Sequence, residues 1–127
     1  MADGNLPTYV TESTSIVFLG GYATAKPAGQ CVNFLGGNTN SVGFLGVTNT
    51  EVPAFAANVR VGVDIEGIVS AFSAGAINIG DPVVSDGLGG FAAHFTINGS
   101  PILGRAMSAT TGPNQNFLMK ITREGKL

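Results

Sequence analysis

The sequence predicts an all-β fold, a small single-domain β-barrel or sandwich of two pseudo-repeated β units with an extended N-terminal arm. Three observations predict it. Residues 44–67 align with residues 102–125 at a constant offset of 58, with five of the 24 pairs identical. Within that stretch Val59, Val61 and Val63 match Phe117, Met119 and Ile121, apolar for apolar on alternate positions, which is the period of a strand with one buried face. Short apolar runs elsewhere end in glycine, and no segment sustains a helical period.

The elements follow in order. Residues 1–14 are polar with isolated apolar anchors at Leu6, Tyr9 and Val10, and read as the arm; residues 15–127 form the β domain. The runs Val17-Phe18-Leu19, Asn33-Phe34-Leu35 and Phe44-Leu45 each meet glycine, a residue that accepts the positive φ of a turn or bulge. The cluster Gly36-Gly37-Asn38-Thr39-Asn40 marks a hairpin loop. Residues 49–57 form a connection in which one short helical turn fits. Residues 58–69 are the clearest strand, with Val59, Val61, Val63 and Ile65 on one face and Arg60, Gly62, Asp64 and Glu66 on the other. Gly80-Asp81-Pro82 predicts a turn, and Asp86-Gly87 predicts a hairpin between Val83-Val84-Ser85 and a strand over residues 91–95. The last strands span residues 102–107 and 117–122.

A second match sets the extent of the repeat. Gly29-Gln30-Cys31-Val32 aligns with Gly80-Asp81-Pro82-Val83 at an offset of 51, the change of offset corresponding to one hairpin loop. Leu45, Val59, Val61, Val63 and Ile65 in one copy and Leu103, Phe117, Met119 and Ile121 in the other are expected to share one core.

Composition narrows the function. A chain of 127 residues buries roughly two-thirds of its unfolded surface in one domain. Only 11% of residues are charged, under half the usual share, while 19 are glycine. Such a surface suits contact with other protein chains, where buried charges would be costly. Six scattered Lys and Arg residues and a net charge of −2 give no phosphate track, so nucleic acid is not expected as a partner. One cysteine, Cys31, and one histidine, His94, supply neither an internal disulfide nor a zinc-binding cluster, so no cofactor or metal is expected. Cys31 reads as a small buried hydrophobe. The start Met1-Ala2-Asp3-Gly4 lacks the features of a secretory signal, and the apolar runs are too short for a helical membrane span; synthesis in a cytoplasm and no membrane partner are expected.

Candidate catalytic groups are few. Asp64 and Glu66 lie on one strand face roughly 7 Å apart, a spacing open to a hydrolase and equally to the wet side of an amphipathic strand. His94 reads as a surface or interface imidazole. The phenylalanines at 18, 34, 44, 55, 72, 91, 95 and 117 are core residues or, alternatively, the lining of a small-molecule-binding β-barrel. Arg105 interrupts a small, apolar segment and reads as an interface cation for a partner-chain carboxylate or a cluster of carbonyls, or else as a solvated strand residue, with the low charge of the remaining surface favouring the interface.

The segments Gly80-Asp81-Pro82-Val83-Val84-Ser85-Asp86-Gly87 and Ile102-Leu103-Gly104-Arg105-Ala106-Met107-Ser108-Ala109 resemble the small capsid cement, or decoration, proteins of tailed bacteriophages. The similarity runs from about Val59 to Ile121 and takes in Glu66-Gly67-Ile68. Members of the family are commonly shorter at the front, so the region before about residue 42 departs from the pattern. The resemblance implies a structural protein without enzymatic activity that binds the outside of the expanded head, often as a homotrimer, with the major capsid protein as partner and the virion surface as location. Leu6, Tyr9, Val10 and Arg105 are the residues expected at its capsid or subunit interface.

Overall fold

The computed structural model describes residues 12–18, 22–37, 43–55, 59–94 and 100–125. Nine strands form: β1 (Glu12–Phe18), β2 (Cys31–Asn33), β3 (Phe44–Thr48), β4 (Val59–Glu66), β5 (Ile68–Phe72), β6 (Pro82–Ser85), β7 (Phe91–Ala93), β8 (Ile102–Ala106) and β9 (Asn116–Gly125). No helix accompanies them among the described residues. The strands make two antiparallel sheets, ordered β1-β4-β3-β2 and β5-β9-β8-β6-β7. The sheets do not close into a barrel, so the sandwich-like alternative, two separate sheets, is the one found.

The duplication is visible in the topology. Without β7 the two sheets have the same order, β1, β4, β3 and β2 corresponding to β5, β9, β8 and β6, and every neighbouring pair is antiparallel. Each unit is a Greek key in which the first strand returns to lie beside the last. The extra hairpin strand β7 lies between β6 and β8 in the sequence, where the two alignment offsets differ.

The local chemistry is also repeated. Gly46 of β3 and Gly104 of β8, 58 positions apart, each press against the neighbouring strand so closely that an added Cβ would strike a backbone carbonyl, that of Asp64 or of Lys120. Registers differ by two residues: Val47 faces Asp64, whereas Arg105 faces Lys120. A slip of two keeps the same side chains on the same face, which is how the repeat tolerates it.

Several boundaries differ from expectation. The strand expected over residues 58–69 breaks at Gly67, whose φ of 93° turns the chain out of the first sheet and into β5 of the second. Of the connection expected over residues 49–57, Val52 makes an antiparallel bridge with Lys26, Ala54 and Phe55 lie in a turn, and residues 56–57 lie outside the described residues. Strand β7 stops at Ala93, and β9 runs on to Gly125. Glu12, Ser13 and Thr14, expected in the arm, already pair with β4 of their own chain. Residues 1–11 lie outside the described residues.

The single shared core is replaced by separate clusters. Leu45, Val61 and Val63 join Phe18, Val32 and Val52, with Ile65 and Tyr22 packed alongside. Leu103, Phe117, Met119 and Ile121 belong to a larger cluster with Val69, Ala71, Ile77, Val83, Phe91 and Ala106. Only Cys31 and Val47 of the first sheet are among the buried members of that larger group, with Phe44 packed against it. Val59, expected in the core, is 36% exposed. The two units therefore repeat topology while burying their apolar faces largely apart.

Candidate interaction surface

Arg105 projects from β8 and forks onto Glu124 of β9, its Nε and Nη2 donating to the two carboxylate oxygens at 2.8 and 2.6 Å. The expected partner-chain carboxylate is thus supplied within the chain. Glu124 also accepts from the Thr122 hydroxyl at 2.7 Å, and the guanidinium and this hydroxyl together hold its carboxyl down to about 2. The pair is partly exposed, 42% and 32%.

The guanidinium that meets a carbonyl cluster is Arg123. From β9 it donates to the carbonyl oxygens of Phe44, Leu45 and Ile65 at 2.6, 2.7 and 2.7 Å, and its charge stands 4.9 Å from the centre of the Phe44 ring. Phe44 in turn meets Phe91 edge-on, and Phe91 meets Phe117 likewise. Arg123 occupies the position equivalent to Ile65 in the first copy, with φ at 52°. Here the second unit is bolted to the first. The sequence signal was the mismatch itself, one cation where the repeat has an apolar residue.

Asp64 serves the first sheet. Its Oδ1 accepts from Ser13 Oγ at 2.7 Å and Asn49 Nδ2 at 2.9 Å, tying β1 and the turn after β3 to β4. Glu66 stands exposed opposite Glu12. These contacts are those of a structural carboxylate, and no group of three His, Cys, Asp or Glu residues suited to a metal ion occurs among the described residues. Cys31 is buried, and burial pushes its thiol up to about 12 despite the Ser85 hydrogen bond. His94 follows β7, half-buried.

The phenylalanines divide. Phe18, Phe91 and Phe117 are buried, Phe44 and Phe72 half-buried, and Phe34 and Phe55 are 64% and 78% exposed; Phe95 lies outside the described residues. Those described line no common lumen. The depressions beside the loop over residues 86–90 are open, the larger about 430 Å³ and walled by Ala74, Gly75, Ala76, Ala92, Ala93, Asp86 and Leu88.

What the surface does offer is apolar side chains on turns. Phe34 and Leu35 stand on the β2–β3 connection, Phe55 on the turn after Val52, Ile79 on the turn before β6 and Leu88 on the β6–β7 loop, each more than 60% exposed. Of the four residues expected at an interface, Leu6, Tyr9 and Val10 lie outside the described residues, and Arg105 is on the surface with Glu124. Sequence reasoning missed the turn residues because isolated apolar residues in glycine-rich loops look like strand ends. Compared with known proteins, no family model matches the chain and no curated protein is significantly similar to it. No helix among the described residues is long and apolar enough to cross a membrane.

Proposed function

We propose that the chain is a structural capsid decoration protein that binds the outer surface of the expanded bacteriophage head and stabilises it by bridging neighbouring major capsid subunits. One observation carries the reading. The two segments that resemble the cement proteins, apart in sequence, are adjacent strands: Pro82 faces Arg105 and Val83 faces Gly104 across β6 and β8. The resemblance therefore falls on one contiguous piece of sheet. The surface chemistry supports it as well, because a cement protein needs apolar, uncharged contact area and gains avidity by engaging several subunits at once.

In this reading the chain is a homotrimer on the particle and has no enzymatic role, and its partners are the major capsid protein and itself, with no nucleic acid or membrane. The arm carries Leu6, Tyr9 and Val10 to a neighbouring chain. Among the described residues β1 is an edge strand, the position from which a chain can pair with a neighbour's sheet edge. The test is co-sedimentation of the purified chain with expanded and unexpanded heads of the phage that encodes it. Binding to expanded heads with little to unexpanded ones is expected, since the composite site forms when subunits rearrange. Equal binding to both, or to neither, contradicts the reading.

A further inference from the structure

One face of the β unit is covered in the first copy and open in the second. In the first sheet a cross-strand row runs through Cys31, Val47, Asp64 and Ser13 over β2, β3, β4 and β1. The equivalent strands β6, β8, β9 and β5 carry the row Pro82, Arg105, Lys120 and Ile68. Cys31 and Val47 are buried, and what buries them is the core cluster of the second unit. Their counterparts Pro82 and Arg105 are only half-buried, as is Ile68, and Lys120 is exposed. Where this face is covered, its cover is another unit of the same plan.

The open face keeps apolar side chains at the surface. Met107 N–H donates to the Leu118 carbonyl at 2.7 Å, so these two residues form the next pair along β8 and β9. Each stands two positions from Arg105 or Lys120 and therefore on the same side of the sheet. They are 41% and 46% exposed. Exposed Ile79 lies beside them, since its neighbour Gly80 donates to the Ala106 carbonyl at 2.8 Å.

The charges give the face a direction. Arg105 is occupied by Glu124, whereas Lys120 has no carboxylate within ion-pair distance among the described residues. On the far side of Gly67, Glu66 faces Glu12 across β4 and β1, a repulsive like-charge pair that no described cation meets. Lys120 pairs with Ile68 in the sheet, and Glu66 is two residues before Ile68, so the Cα atoms of Lys120 and Glu66 lie within about 13 Å. Copies arranged around a rotation axis turn different flanks to their two neighbours. A cation on one flank and two carboxylates on the other then meet across each junction.

We propose that this face joins copies of the chain head to tail, Leu118 and Met107 burying against the neighbouring copy while Lys120 pairs with Glu66 and Glu12 of that copy. Two observations select a second copy as the occupant: the equivalent face of the first unit is covered by a unit of the same kind, and the countercharge that Lys120 lacks is carried by the chain itself. The inference rests on the homotrimer part of the decoration reading.

Sedimentation velocity of the full chain over a concentration series tests it. The unsubstituted chain is expected to self-associate into a closed trimer. Leu118→Asp, Lys120→Glu and the double change Glu12→Lys with Glu66→Lys are each expected to weaken association at least about tenfold, with the circular dichroism spectrum unchanged. Combining Lys120→Glu with both glutamate reversals is expected to restore association, a recovery that damage to the fold would not give. An unsubstituted chain that stays monomeric into the millimolar range, full association by Lys120→Glu, or no recovery in the triple variant overturns the inference. Head binding is measured separately by co-sedimentation: self-association without it removes the decoration reading alone, and head binding by a chain that stays monomeric removes the contact alone.

Discussion

The first and second units share one topology and differ in what they bury. Of the matched core positions, Leu45 and Leu103, Val61 and Met119, and Val63 and Ile121 are buried in both, whereas Val59 is 36% exposed and its equivalent Phe117 only 2%. The second unit builds the larger cluster and receives Cys31 and Val47 from the first, while the first closes its own face with Phe18, Val52 and Tyr22. The difference teaches that strand order is kept by repeated backbone geometry and that the side chains are free to diverge around it. It also divides the labour: the second unit anchors the fold and reaches across to hold the first through Arg123.

The units differ most in burial at the pair Val59 and Phe117. Phe117→Ala is expected to cost about 3–5 kcal/mol by emptying a packed site, while Val59→Ala costs under about 0.5 kcal/mol. Urea unfolding measures both, and similar losses would mean that the units share one core after all. At the equal pair Gly46 and Gly104 the outcome reverses. Alanine at either is expected to cost about 3 kcal/mol, because the new Cβ meets backbone that cannot swing aside; a loss at one position alone would end the structural equivalence.

Arg123→Ala removes three carbonyl contacts and is expected to cost about 1–3 kcal/mol, with faster amide exchange in β3 and β4 than in β6 and β8. Uniform exchange would show that Arg123 does not join the units. The smallest effect belongs to the exposed pair Arg105–Glu124. Because the folded carboxyl sits at about 2, below its ordinary 4.5, its contribution is full above pH 4.5 and fades as the pH falls towards 2. The stability difference between the native chain and Arg105→Ala should shrink over that window and vanish below it in acid titrations of the melting temperature. A difference that does not shrink as the pH falls towards 2 would assign the arginine another role.

Much of the strand plan was legible in the sequence because alternation and glycine placement are local properties. The repeat of residues 44–67 was readable since both β-hairpins need a small residue at Gly46 and Gly104 and apolar residues on the same face. Less legible was anything set by one unit meeting the other. The break at Gly67 hides inside an unbroken alternation, and Arg123 shows in sequence only as a cation in the apolar slot of the repeat. Arg105, singled out for an interface, pairs within the chain with Glu124, which lies 19 residues downstream and becomes a neighbour only when β8 and β9 pair.

On the decoration reading, the chain sits astride a repeated protein surface. Cryogenic electron microscopy of expanded heads with and without the protein tests that directly. Discrete density of this chain's size over the junctions between neighbouring capsid subunits is the expected result. Identical shells with and without the protein, or density seated wholly on one subunit, would contradict it.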